Sequence, residues 1–225
     1  MGEFNFPQEG EHTTILGTTG SGKSTLGAWI VSKSPFHLRP HFVIDFKYEE
    51  IFARLNRARE IGTHETLPNA PGLYILRPRP DQLDEVEDWL RRLWEHGTAG
   101  LYIDEGYLMP DRAWFKNLLA QGRALGISVV TTSQRPVDIP RSVFTEATHV
   151  AVFRLNDKKD MQRVAEFTPP GMLEKRLPDF HSFWYSPKYH KADDPFPYVV
   201  LSPVPGADAI IETIESRLKP KHTVV

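Results

Sequence analysis

The 225-residue chain contains no cysteine, which excludes disulfides, thiolate metal sites and cysteine nucleophiles. No apolar run approaches the roughly 18 residues of a membrane span, and no signal-peptide pattern opens the sequence. Phe6 stands where N-myristoylation needs Ser or Thr. The nine histidines form no HExxH pattern, since His64-Glu65 runs into Thr66-Leu67-Pro68, and a structural zinc is not expected. Charge of one sign is also missing: 27 basic against 29 acidic residues leave a net −2. Any nucleic-acid contact must then come from a local patch, or from several subunits presenting one face. What remains is the expectation of a cytoplasmic protein with 40% hydrophobic content, enough for one good core.

Short apolar strands alternate with helices, which predicts an α/β fold: a mostly parallel central sheet with helices on both faces. Strands are expected at Thr13–Leu16, Phe42–Ile44, Leu73–Leu76, Leu101–Ile103, Ser128–Thr132 and Val150–Leu155. Helices are expected from about Lys23 to Ser32, from a cap at Asp81 to a stop at Gly97, from Ala113 to Leu125, and from Asp157 to Phe167. After Pro169-Pro170 prolines punctuate short aromatic strands such as Phe183-Trp184-Tyr185, and Ala209–Leu218 reads as a last amphipathic helix. One domain is expected over residues 1–225, its motifs at about 10–167 and a proline-rich elaboration at 168–225.

Gly17-Thr18-Thr19-Gly20-Ser21-Gly22-Lys23-Ser24 satisfies G-x-x-x-x-G-K-[ST], the Walker A pattern, between a strand and a helix that continues with Thr25. Glycines let the backbone wrap phosphates with successive N–H groups inward, and the helix N-terminus adds its dipole. Lys23 is expected to reach the β/γ-phosphates of ATP, and Ser24 to ligate Mg²⁺. Asp104-Glu105 closes an apolar strand as a Walker B pair. In parallel α/β sheets ligands bind beyond the carboxyl ends of strands, where both acids emerge. Asp104 is expected to hold Mg²⁺ and Glu105 to accept the proton of an attacking water. Strand Ser128–Thr132 runs into Ser133-Gln134-Arg135-Pro136, where Gln134 is placed either to sense the γ-phosphate and orient water or to form a polar turn before Pro136.

Together these motifs resemble the HerA/FtsK superfamily of ring-shaped, DNA-pumping ATPases. The resemblance rests on residues 17–24, Asp45-Phe46-Lys47 and Asp104-Glu105. It continues through Gln121-Gly122-Arg123-Ala124-Leu125-Gly126-Ile127, Ser133-Gln134-Arg135-Pro136, Ile139-Pro140, Ala147-Thr148-His149-Val150 and Phe153-Arg154. It covers about residues 10 to 167, with Phe46 departing from the proline usual in cellular pumps. The compact length is similar to that of the short viral genome-packaging members. The resemblance implies a RecA-like core and a homo-oligomeric ring (pentamer or hexamer) with ATP between subunits. It further implies double-stranded DNA in the pore and, for a viral member, a capsid or portal-vertex partner. Arg123, in the family's Gly-Arg position, is the implied trans-acting finger, with Arg77 and Arg79 as runners-up.

Other readings stay open on sequence alone: a cellular pump in repair or transfer, a P-loop kinase, or an ATP-gated assembly factor. A kinase would gain nothing from Ser133-Gln134-Arg135-Pro136. Asn156-Asp157-Lys158-Lys159-Asp160 has the wrong spacing for a guanine-reading motif. For DNA contact the sequence offers only small clusters, at Lys158-Lys159, Lys188-Tyr189-His190-Lys191 and Lys219-Pro220-Lys221-His222, each also readable as solvated surface.

Overall fold

In the computed structural model, which describes residues 4–110, 112–189 and 197–218, apolar side chains alternate between two cores on opposite faces of one sheet. Phe42 and Ile44 point into one core while Val43 points into the other; in the same way Tyr74 and Leu76 oppose Leu73 and Ile75. Burial on both faces explains why these strands read as continuous apolar runs.

The chain runs β1 (Thr13–Leu16), α1 (Lys23–Lys33), β2 (Pro40–Ile44), α2 (Glu50–Ala53), β3 (Arg59–Ile61), β4 (Gly72–Leu76), α3 (Leu83–His96) and β5 (Gly100–Ile103). It continues with α4 (Ala113–Gln121), β6 (Ser128–Ser133), α5 (Ser142–Thr145), β7 (His149–Val152), α6 (Lys158–Ala165), β8 (Ser182–Tyr185), β9 (Tyr198–Leu201) and α7 (Ala207–Arg217). The sheet order is β3-β4-β2-β5-β6-β1-β7-β8-β9. All pairings are parallel except β7–β8 and β8–β9, which are antiparallel. Helices α3 to α6 cover one face and α1, α2 and α7 the other, the arrangement expected from the alternating pattern.

Contact between α1 and β5 is unusually close. A Cβ placed on Gly27 would stand 2.4 Å from Cε2 of the buried Tyr102. Glycine lets the helix that carries Lys23 settle on the strand that leads to Asp104.

Several boundaries differ from the sequence expectations. Asp81 does not cap α3; it lies in a 3-10 turn over Pro80–Gln82 and its carboxylate pairs with Arg79 at 3.0 Å. Helix α4 ends at Gln121, where the chain turns to bring Ile127 into the core, its N–H bonding Gly122 O at 2.8 Å. Strand β7 stops at Val152, because the following residues leave the sheet to line the glycine-rich loop, with Thr18 N–H on Arg154 O at 3.1 Å. Asp157 does cap α6, accepting from Lys159 and Asp160 N–H. Elements α2, α5 and β3 went unanticipated, being only three or four residues long.

Candidate active site

The carboxyl ends of β1, β2, β5 and β6 meet at one edge of the sheet, where the strand order places β1 between β6 and β7. Residues 17–22 leave β1 and turn into α1, with Gly20 at φ +73° and Gly22 at φ +104°. Both values lie in the left-handed region that glycine enters without strain, so the chain can fold back tightly before the helix. Lys23, the first residue of α1, is buried and donates to Thr18 O at 3.1 Å across the loop. Burial lowers its pKa, opposed by the Glu105 and Asp104 carboxylates.

Asp104 and Glu105 emerge side by side, but in different surroundings. Asp104 Oδ1 accepts the Thr132 hydroxyl at 3.0 Å. Burial, then the Glu49 and Glu105 carboxylates, push its pKa up to about 7, with the Thr132 hydroxyl opposing and Asp45 adding to the rise. Glu105 sits at φ +59°, ψ +68°, a left-handed conformation that costs a non-glycine residue of order 1–3 kcal/mol. Three contacts hold it there. Its N–H donates to Thr132 Oγ1 at 3.1 Å, its Oε2 accepts Gln134 N–H at 3.0 Å, and its Oε1 accepts Lys47 Nζ at 2.7 Å. Gln134 closes the ring of contacts: its Oε1 accepts the Thr19 hydroxyl and its Nε2 donates to the Tyr107 hydroxyl at 3.2 Å.

Sequence reasoning missed Glu49, and gave Lys47 a place in a motif but no role. Ser24 donates its hydroxyl to Glu49 Oε1 at 2.9 Å, and Glu49 N–H donates to Asp45 Oδ1 at 2.9 Å. The signal was available in Asp45-Phe46-Lys47-Tyr48-Glu49, a charged run leaving a buried strand that neighbours β5. Arg77 donates to Asp45 Oδ2 at 3.0 Å and pairs with Glu60, so it belongs to this edge as a structural cation. Arg79 is exposed and pairs with Asp81.

Arg123 is not brought to this edge. It precedes β6 and donates to Thr148 Oγ1 at 3.0 Å beside the start of β7, at the amino ends of the strands. Lys158 and Lys159 open α6, and Lys159 lines a hollow of about 680 Å³ with Thr18, Thr19, Gln134 and Arg135. Lys188 is engaged by the buried Glu11 carboxylate at 2.8 Å. His190, Lys191 and the 219–222 cluster lie outside the described residues.

The residues present fit a nucleoside triphosphate and a divalent cation. Thr18 Oγ1, Ser21 Oγ and Asp104 Oδ2 are all buried without a hydrogen-bond partner. Such groups are costly unless something else satisfies them. Two hydroxyls in the glycine-rich loop match phosphate oxygens, and a crowded carboxylate whose proton affinity is raised matches a cation.

Fold and site define a P-loop ATPase with a RecA-like, mostly parallel core. A DNA packaging ATPase, P9 of Enterobacteria phage PRD1, is 33% identical over 233 residues, spanning 98% of this chain and 99% of that protein. The chain therefore belongs to the family of phage DNA-packaging ATPases, and ATP is its substrate. No family model matches the sequence. The fold is similar to that of the genome packaging NTPase B204 of Sulfolobus turreted icosahedral virus 2, solved with AMPPCP, at a TM-score of 0.69 and 16% identity over 87% of this chain and 98% of that one. It also resembles EccC (ATPases 2 and 3) of Thermomonospora curvata, at a TM-score of 0.55 and 15% identity over 93% of this chain and 43% of that one. Described residues include no helix long and apolar enough to cross a membrane.

Proposed function

We propose that this ATPase is a motor that couples ATP hydrolysis to the movement of double-stranded DNA into a preformed capsid. It acts as a homo-oligomeric ring, a pentamer or hexamer, at a capsid or portal vertex in the host cytoplasm. Residues 1–225 act as one domain, with 168–225 an elaboration of it.

The convergence of Lys23, Asp104, Glu105 and Gln134 at one sheet edge carries the chemical part of this reading. Residues 17–22 cradle the phosphates with backbone N–H groups, and Lys23 neutralises their charge. Ser24 and Asp104 would hold Mg²⁺, which would supply neutralisation of phosphate charge. Glu105 takes a proton from water, and Gln134, tied to the loop through Thr19 and to Glu105 through its own N–H, aligns that water. Thr25 follows at the loop's exit. Arg123, remote from its own chain's loop, serves the neighbouring subunit's nucleotide.

Duplex DNA is gripped through its repeating phosphates, because a motor that travels a genome cannot depend on base edges. With a net charge of −2 per chain, the grip requires several subunits to pool small basic patches. The test is ATP turnover with and without duplex DNA, alongside DNA affinity of monomeric and assembled protein across a salt series. Strong stimulation, and binding by the assembly that is sequence-independent and weakens with salt, are expected. Salt-insensitive, sequence-selective binding by the monomer would point to a site-specific enzyme instead.

A further inference from the structure

The proline-rich segment after residue 168 matches no motif, yet it returns to the phosphate loop. After Val152 the chain leaves the sheet, and Phe153 becomes the shared wall of three adjoining hollows of about 320, 190 and 90 Å³. One side of the two smaller hollows is the loop and first turn of α1, at Gly20, Ser21, Gly22 and Thr25. Their other side is Pro178–His181 and the strand ends that follow. Arg154 separates the hollow of about 190 Å³ from the one lined by Gln134 and Lys159, lining both.

Phe180 stands out within that wall. Its backbone is left-handed at φ +60°, which an aromatic residue rarely adopts, and the residue is 58% exposed. The ring lies beside Gly22: a Cβ built there would be 3.5 Å from Phe180 Cδ1 and 3.3 Å from Phe153 Cε1. The turn is tied down around it by His181 N–H on Pro178 O at 3.3 Å and by the Arg154–Asp179 ion pair at 3.5 Å. An uncovered aromatic ring, held in an unfavourable backbone against the residue that ends a phosphate cradle, has a clear chemical match. Nucleobases stack on such rings.

We propose that residues 177–183 form the nucleobase subsite of this ATPase, with the face of a purine stacked on the outer side of the Phe180 ring, whose inner side is seated against Gly22. The proposal rests on the reading of residues 17–24 as the triphosphate site. It gives the C-terminal elaboration a role: it completes the nucleotide site that the loop begins.

The experiment compares two ligands, ATP and inorganic tripolyphosphate, which fills the cradle but has no base. Their affinities are measured by calorimetry for the parent chain, Phe180→Ala, Phe180→Trp and Lys23→Ala. Phe180→Ala is expected to weaken ATP about tenfold while leaving tripolyphosphate within about twofold, since stacking on one ring is worth that much. Phe180→Trp should restore ATP affinity, and its added indole emission should respond to ATP and not to tripolyphosphate. Lys23→Ala should lose both ligands. A parallel fall of both ligands in Phe180→Ala would mean the ring only shapes the loop, and overturns the proposal. Unchanged ATP affinity overturns it too. If the parent chain binds neither ligand, the triphosphate reading itself fails, a result distinct from either.

Discussion

Lys47 Nζ lies 2.7 Å from Glu105 Oε1, joining the loop after β2 to the acid that ends β5. Together with Gln134 N–H on Oε2, this pair holds the carboxylate by both oxygens in a fixed direction. A base held by both oxygens is aimed before substrate arrives, and aim is worth rate. Lys47→Met should therefore leave ATP affinity within about twofold and lower kcat by about tenfold. Single-turnover and binding measurements check both values. A rise in turnover would show that Lys47 restrains Glu105 and does not aim it.

Separation of phosphate binding from water activation gives a second comparison. Lys23→Ala should abolish tight ATP binding, because it removes the buried cation facing Asp104 and Glu105. Glu105→Gln should keep ATP and Mg²⁺ but turn over at least about a hundredfold more slowly. Equilibrium dialysis beside a phosphate-release assay distinguishes them. Equal loss of binding in both variants would make Glu105 a metal ligand.

Arg123 sits at the amino ends of the strands, bonded to Thr148 and away from its own glycine-rich loop, and its proposed role is therefore on a neighbour's nucleotide. Arg123→Ala should bind ATP nearly normally and hydrolyse it about 10³-fold more slowly. Mixing it with Glu105→Gln should recover part of the activity, at interfaces with one intact residue on each side. If no mixture recovers, and Arg77 or Arg79 passes the same test, the finger lies after β4.

Acid stability follows from two buried histidines. His12 accepts Val129 N–H on Nδ1 at 3.2 Å and contacts Leu119 O through Nε2 at 2.9 Å, which requires the neutral ring. Burial lowers the pKa of His12 and of His41 from 6.5 to about 4. An unfolded chain takes up these protons at higher pH than the folded one, so stability is intact above about pH 6.5 and falls as pH drops toward 4. The two histidines together contribute a loss of several kcal/mol over that window, at about 1.4 kcal/mol per pKa unit, partly offset below pH 7 by Asp104, whose raised pKa makes the folded chain the better proton acceptor there. Urea midpoints between pH 7.5 and 4.5 measure this. A midpoint unchanged down to pH 5 would contradict it.

Close packing of α1 on β5 sets the fifth expectation. Gly27→Ala drives a methyl group to 2.4 Å from the Tyr102 ring, so helix or ring must move. A loss of about 1–3 kcal/mol in unfolding free energy is expected, read by denaturant titration. Because the same helix begins at Lys23, weaker ATP binding should accompany it. An unchanged midpoint would mean the gap relaxes freely.

Chemistry carried by contiguous residues was legible in the chain. Residues 17–24 encode their own loop, since glycine spacing and the lysine act over a few bonds, and Asp104-Glu105 is announced by the apolar strand before it. Alternation of strands and helices was equally local, and it led to the two-faced parallel sheet. The charged run from Asp45 to Glu49 was visible in the chain, but the pairings of Glu49 with Ser24 and of Lys47 with Glu105 were not, because they depend on β2 lying beside β5, a neighbour far along the chain. Elements α2, α5 and β3 escaped for the same reason: three or four residues carry too little periodicity, and only surrounding packing makes them regular. Most of all, the return of Phe180 to Gly22 required β8 to add antiparallel to β7, a tertiary event that no local pattern encodes.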